Sequence, residues 1–265
     1  MTQKIHPTAI IGSKANIGAN VEIGAFSIIG DDVSIGDNTI IKSHVVIEGR
    51  VKIGQGNIFY PFSAIGLDPQ DLKFHGEKSH VVIGDKNTIR ENVTIHAGTK
   101  DGAMVTTVGN NCLFMVGAHI AHDCVVGNNV ILANNATLAG HVAVGNHVVI
   151  GGLSAVHQFA RIGEGAMIGG MSGVEGDVIP NGLVVGERAS LAGLNIVGMK
   201  RRGVARDDIH ALRNFFKQLF ATSDTGFAAR VDALAKEFPS QTVQEVADFV
   251  KSESSRSFCQ FKNTK

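Results

Sequence analysis

The sequence has little of several residue types, since its 265 residues include no tryptophan, one tyrosine, five prolines and three cysteines. Cys112, Cys124 and Cys259 are odd in number and form no CxxC pair, which argues against a disulfide framework and fits a reducing compartment. No apolar run approaches the ~18 residues that a membrane-spanning helix needs. We therefore expect a soluble, cytoplasmic protein with buried cysteines and no membrane span.

The chain also lacks an excess of charge of either sign, because 24 lysines and arginines balance 24 aspartates and glutamates. This balance excludes the global field that draws a protein to nucleic acid or to a membrane surface, although local patches can still bind anions. The first ten residues have no positively charged segment followed by an apolar one, so no cleavable export signal is expected.

Glycine is abundant, with 32 residues, and much of it belongs to a repeat of six. An aliphatic or phenylalanine side chain, which we call the hexad aliphatic, recurs every six residues from Ile5 to Ile65, again from Ile83 to Ile95, and from Val108 to Val174. Glycine often follows it, and a small or β-branched residue stands four positions after it. This period is neither that of a helix nor that of an alternating strand. It predicts a left-handed parallel β-helix in which residues 18 apart stack about 4.8 Å from one another.

Two segments break this repeat, near 67–82, where Asp71 and Glu77 fall on hexad aliphatic positions, and near 98–107, where the register slips. We interpret both segments as excursions from the stack. Excursions on a rigid scaffold often carry functional residues, although a tolerated surface insertion explains them equally well.

The repeat fades after Pro180, and from Asp207 apolar residues recur at helical spacing. Further helices are expected near 227–238 and 242–250. The sequence therefore predicts two domains, a β-helix over 1–190 and a C-terminal α-helical domain over 191–265. The second domain would cap the open end of the β-helix or supply a surface that faces a nucleotide.

Register arithmetic brings polar residues of the stack together. Counting by 18 places Gly140 and Gln158 in line with His122, and His141 in line with Asp123. A neutral imidazole beside a carboxylate can remove a proton from a sugar hydroxyl, and the Gly140 amide could stabilise an oxyanion. Solvent-exposed corner histidines are the simpler interpretation of any one of these residues taken alone.

Metal and phosphate motifs are weak or missing. His119-x-x-His122 could ligate zinc with a further histidine, but the spacing is unspecific. Neither GxxxxGK[ST] nor GxGxxG occurs. Lys200-Arg201-Arg202 could clamp a diphosphate, or could form an ordinary solvated turn. We expect no metal and no cofactor.

Four segments, His119–Cys124, Asn134–His141, His157–Phe159 and Pro69–Lys73, together resemble the acyl-carrier-protein-dependent UDP-N-acetylglucosamine O-acyltransferases of lipid A biosynthesis. The resemblance covers nearly the whole chain, including the C-terminal helices. It implies the first step of that biosynthesis, with acyl carrier protein as the donor partner, UDP-N-acetylglucosamine as the acceptor and a homotrimer as the assembly.

The resemblance also implies roles for individual residues. His122 would be the general base for the glucosamine 3-hydroxyl, oriented by Asp123, and the Gly140 amide would be the oxyanion donor. Gly170 would limit the length of the acyl chain, and its small size suggests a longer hydroxyacyl chain. The remaining expected substrate contacts, first those to sugar, diphosphate and acyl chain between subunits and then those to the nucleotide, are Gln70, Asp71, Lys73, His119, His141 and Gln158, and Asn195, Arg201 and Arg202.

The chain departs from the family pattern at Val197, Ala97 and Arg188, where the family often has glutamate, arginine and histidine. These departures affect the expected contacts to uracil and to the acyl tail. Two alternatives stay open, namely the same scaffold N-acylating a 3-amino UDP-sugar, and a non-catalytic β-helical binding protein. The histidines and excursions gathered in one region argue against the second alternative.

Overall fold

The computed structural model describes residues 4–221 and 226–261. It confirms the predicted left-handed parallel β-helix with a C-terminal helical region. Three sheets of eleven, nine and eight strands form the faces of the coil. Residues 1–3, 222–225 and 262–265, which the predicted domains include, lie outside the described residues.

The strands are β1 Lys4–Ile5, β2 Ile10–Ile11, β3 Asn16–Ile17, β4 Glu22–Ile23, β5 Ile28–Ile29, β6 Val33–Ile35, β7 Ile40–Ile41, β8 Val46–Ile47, β9 Arg50–Ile53, β10 Ile58–Phe59, β11 Ala64–Ile65, β12 His80–Ile83, β13 Thr88–Ile89, β14 Thr94–Ile95, β15 Val105–Val108, β16 Leu113–Phe114, β17 His119–Ile120, β18 Val125–Val126, β19 Ile131–Leu132, β20 Thr137–Leu138, β21 Ala143–Val144, β22 Val149–Ile150, β23 Ala155–Val156, β24 Arg161–Ile162, β25 Met167–Ile168, β26 Gly173–Val174, β27 Gly182–Val185 and β28 Ser190–Leu194. The helices are α1 Ile196–Arg201, α2 Arg206–Leu219, α3 Phe227–Glu237 and α4 Gln241–Lys251.

The hexad aliphatics form the core of the stack. Ile120 pairs with Leu138 and Leu138 with Val156, so strand partners are 18 residues apart, as predicted. Every hexad aliphatic from Ile23 to Val174 is buried. Each contributes about 1.5–3 kcal/mol of gross burial, most of which offsets the ordering of the chain. Ile5 is exposed because the first coil has no coil beneath it to cover its core face.

The excursions lengthen single coils without breaking the stack. Ala64 pairs with Thr94, 30 residues on, and Thr94 with His119, 25 residues on, instead of 18. The strands resume at His80 and Val105, so the predicted excursions reach three residues into β12 and β15. The difference arises because these four-residue strands begin well ahead of their hexad aliphatics, whereas the two-residue strands begin one residue ahead of theirs.

The helical region is joined to the top of the stack. β28 pairs antiparallel with β27, so the sheet continues past residue 190. The Arg161 guanidinium bonds the buried Asp177 carboxylate at 2.7 Å, donates to the Ser252 hydroxyl at 2.5 Å and stacks on the Phe249 ring. Among the described residues, no helix is long and apolar enough to cross a membrane.

Candidate functional site

The corner between β17 and β18 carries His122 and Asp123. Asp123 turns the chain with a φ of 58°, in the left-handed region that non-glycine residues rarely adopt. Its carboxylate Oδ2 lies 2.9 Å from His122 Nδ1, and the His122 side chain is 12% exposed. With the Nδ1 proton donated to the carboxylate, the Nε2 lone pair of His122 is available to accept a proton.

The Asp123 carboxylate is enclosed by the second excursion. The Thr99 amide donates to both carboxylate oxygens, at 3.2 and 3.0 Å, and the Thr99 hydroxyl donates to Oδ2 at 2.7 Å. Gly102 lies against this carboxylate so closely that an added Cβ would come within 2.5 Å of Oδ2. These donors hold the carboxylate in one orientation toward His122.

Gly140 lies one coil above His122. His141 donates its amide to the His122 carbonyl at 3.0 Å, which confirms the predicted stacking of these coils. An added Cβ at Gly140 would lie 2.5 Å from His122 Nε2. Within the described part of the chain, no group accepts a hydrogen bond from the Gly140 amide. This N–H is therefore free to bind an oxyanion beside the imidazole.

His141 and His119 flank the His122–Asp123 pair, which we call the dyad. The His141 ring meets the His122 ring edge-on at 4.9 Å and stacks on Phe159 at 4.5 Å. Burial lowers the pKa of His141 and lowers that of His119 to about 4. His119 Nδ1 also lies 2.7 Å from the Thr94 hydroxyl. Near neutral pH His119 is uncharged and suited to hydrogen bonding.

The first excursion brings a second carboxylate to the dyad. Asp71 Oδ2 lies 3.9 Å from His122 Nε2, on the side where a proton would be accepted. A hydrogen bond from the Lys73 amide is the main cause that lowers the pKa of Asp71. Lys73 Nζ lies 2.9 Å from Asp101, which links the two excursions. Gln70 is exposed on the same loop.

Gln158 lies two coils above His122 and is exposed. Arg256, from the segment after α4, donates Nε to the Gln158 carbonyl at 3.0 Å. Its Nη2 lies 2.8 Å from His157 Nδ1. The C-terminal segment thus holds the backbone of this corner.

The other predicted contact residues lie at different corners of the same chain. Gly170 follows β25 and packs near the Gly152 carbonyl, at the corner between the eleven- and nine-stranded sheets. Asn195 accepts from the Gly198 amide as the cap of α1 and donates to the Gly165 carbonyl, each at 2.9 Å. Arg202 bonds the Asn181 side chain, and Arg201 is exposed. One chain does not bring these residues to the dyad.

The three departures from the family pattern lie at separate places. Val197 is 61% exposed on α1, and Ala97 is buried next to His96. Arg188 is exposed and pairs with Glu175 at 2.7 Å. No contact in the described part of the chain joins these three residues to the dyad.

One group of described residues has the composition of a metal site, since ligand atoms of His122, Asp123 and His141 lie within 4.8 Å of one another. The predicted zinc pair His119 and His122 is not part of it. Asp123 already accepts hydrogen bonds from Thr99 and His122, so the group is arranged for proton transfer.

Sequence reasoning missed Thr99, Asp101 and Arg256. Thr99 and Asp101 lie in the excursion that the broken register did indicate, but their partners could not be counted from a lost register. Arg256 follows the last helix, where the repeat gives no signal.

Two family models match the sequence. The model described as Udp N-acetylglucosamine O-acyltransferase, Domain 2, covers residues 177–259. The model described as bacterial transferase hexapeptide (six repeats) covers residues 14–49 and 106–140. The two matches coincide with the helical region and with parts of the stack.

Similar proteins cover the chain almost end to end. An acyl-[acyl-carrier-protein]–UDP-N-acetylglucosamine O-acyltransferase from Rickettsia rickettsii is 56% identical over 97% of both chains. The structure of LpxA from Acinetobacter baumannii matches with a TM-score of 0.93 and 40% identity, over 97% of this chain and 99% of that one. A UDP-N-acetylglucosamine acyltransferase from Campylobacter jejuni matches with a TM-score of 0.92 and 40% identity, over 98% and 100%.

Proposed function

The chain belongs to the family of acyl-[acyl-carrier-protein]–UDP-N-acetylglucosamine O-acyltransferases, and we propose that it catalyses this transfer with His122 as the general base. It is an acyltransferase of lipid A biosynthesis that takes the acyl chain from acyl carrier protein and passes it to UDP-N-acetylglucosamine. The observation that best supports this mechanism is the His122 Nε2 lone pair beside the unbonded Gly140 amide.

The proposed reaction balances on these groups. His122 Nε2 takes the proton of the glucosamine 3-hydroxyl while its oxygen forms a bond to the thioester carbonyl carbon. The Gly140 N–H donates to the oxyanion that results, and Asp123 stabilises the imidazolium. When the oxyanion collapses, the carbon–sulfur bond breaks and the carrier thiolate takes the proton from His122.

The flanking residues would bind the substrates. Asp71 faces Nε2 and would accept a hydrogen bond from the sugar or the acyl group, while Lys73 would approach the diphosphate as a cation. His119, His141, Gln158 and Gln70 supply further polar groups around the dyad. Asn195, Arg201 and Arg202 would contact the nucleotide, and Gly170 would limit the acyl chain.

A homotrimer would complete this site. Gly170 and the nucleotide residues lie away from the dyad within one chain, so another copy must supply them if they act there. The corner that carries Gly170 also exposes a column of large apolar side chains, which are 58–71% exposed: Phe26, Phe62, Leu153 and Met171. Exposed apolar area of this kind marks a protein interface. Three equal copies around one axis give each dyad the same neighbour.

The assembly is tested by light scattering. We expect wild-type protein at the mass of three chains and the double variant Leu153→Asp, Met171→Asp at a lower mass with much reduced activity, because the charges oppose burial of this column. Val82→Asp on the outer face of β12 is the matched control and should stay trimeric. A wild-type monomer with full activity would contradict the proposal.

The acceptor is tested with purified protein and acyl carrier protein loaded with a hydroxyacyl chain. UDP-N-acetylglucosamine should give an O-acyl product at least about tenfold faster than its 3-amino analogue gives an amide, because the site would discriminate by transition-state binding. A faster amine would favour the N-acylating alternative. The absence of turnover with either acceptor would favour the non-catalytic binding protein.

We also propose that the reaction takes place in the cytoplasm. The buried, unpaired thiols of Cys112, Cys124 and Cys259 support a reducing compartment.

A further inference from the structure

Thr99 is a polar residue of the second excursion that the proposed reaction does not use directly. It is 4% exposed, and its carbonyl accepts from the Gly102 and Met104 amides at 3.1 and 3.3 Å. The excursion therefore folds into a turn around Thr99. Both Thr99 donors, the amide and the hydroxyl, point at the Asp123 carboxylate.

We propose that Thr99 is a positioning residue for the His122–Asp123 dyad, an inference that rests on the proposed role of His122 as the base. Asp123 Oδ2 accepts from the Thr99 hydroxyl at 2.7 Å and lies 2.9 Å from His122 Nδ1. The Thr99 amide reaches both oxygens of the carboxylate. Together these bonds fix the rotation of the carboxylate and hold Oδ2 on His122.

A competitor for Asp123 makes this positioning necessary. His141 Nδ1 lies 4.0 Å from the same Oδ2 atom. Without the Thr99 hydroxyl, a small rotation of the carboxylate exchanges the bond to His122 for one to His141. His122 then loses the acceptor that holds its proton on Nδ1, and the tautomer that leaves Nε2 free is no longer favoured.

The surrounding backbone is shaped for this contact. An added Cβ at Gly98 would lie 2.8 Å from Asp123 Oδ1, and one at Gly102 would lie 2.5 Å from Oδ2. The Thr106 hydroxyl accepts from the Asp123 amide at 2.8 Å. The second excursion thus fixes the backbone and the carboxylate of one residue, and Thr99 provides the donor that chooses between the two histidines.

The kinetic test compares Thr99→Val, which keeps the shape without the hydroxyl, with Thr99→Ser, which keeps the hydroxyl. Thr99→Val should lower kcat about 10- to 100-fold with KM within about threefold, because one hydrogen bond to a charged group is lost. Thr99→Ser should stay within about threefold of wild type in kcat, since its hydroxyl can still choose His122. Thr88→Val on β13, in a different sheet, is the matched control and should leave kcat unchanged.

A spectroscopic test does not depend on turnover. In protein with nitrogen-15-labelled histidine, neutral His122 should carry its proton on Nδ1 in wild type and in Thr99→Ser, and should show mixed tautomers in Thr99→Val. An unchanged tautomer and kcat in Thr99→Val, or equal losses in the valine and serine variants, would overturn the proposal. If wild type shows no acyl transfer, the proposed function fails while the tautomer measurement still decides the role of Thr99.

Discussion

His122→Ala is expected to reduce kcat about 10³-fold, within the ~10²–10⁴ range that general bases contribute. The variant keeps the Gly140 amide and the substrate contacts but has no group to take the proton of the acceptor hydroxyl. KM for UDP-N-acetylglucosamine should change much less than kcat, because the lost interaction forms chiefly in the transition state. Steady-state assays at saturating acyl donor measure both constants.

The fold should survive this substitution, since His122 lies at a corner outside the hydrophobic core. Circular dichroism and the mass of the assembly should match wild type. His6→Ala, at the far end of the stack, is the matched control and should keep full turnover. A folded His122→Ala protein with near wild-type kcat would show that another group is the base.

The core of the stack could be predicted because its signal is local. Each hexad aliphatic points inward for the same reason as its neighbours, so the period alone identifies the buried positions from Ile23 to Val174. The ends of the excursions could not be predicted as well. β12 and β15 are longer than the other strands beside them, and a count of the inward positions does not show where such strands begin.

The dyad column was predictable for the same reason. His122, Gly140 and Gln158 lie in successive regular coils, so counting by 18 places them together. Thr99 lies one coil below Asp123 across an excursion of unknown length, and no count reaches it. Asn195 and Arg202 show a different limit, because the sequence did not indicate that their side chains cap α1 and bond Asn181.

Gly140→Ala is the second substitution for which we expect a large loss, about 10²–10³-fold in kcat, comparable with the loss of an oxyanion donor. Gly140 is not among the residues with positive φ, so alanine fits its backbone. The added methyl group instead meets the His122 ring, 2.5 Å from Nε2, and must displace it. Gly30→Ala is the matched control, since its Cβ meets only Glu48, 3.3 Å away, and kcat should stay near wild type.

A double-mutant cycle separates the two ways in which Gly140→Ala could act. If the methyl group acts by displacing the imidazole, it should cost little more once His122 is already alanine, and the two effects will be strongly non-additive. If it acts by moving the Gly140 amide away from the oxyanion, the residual rate of His122→Ala should fall further by a similar factor. Since a Cβ at Gly140 overlaps the ring and alanine suits the backbone, we expect the non-additive result, and additive losses would contradict the placement of His122 against Gly140 in the working enzyme.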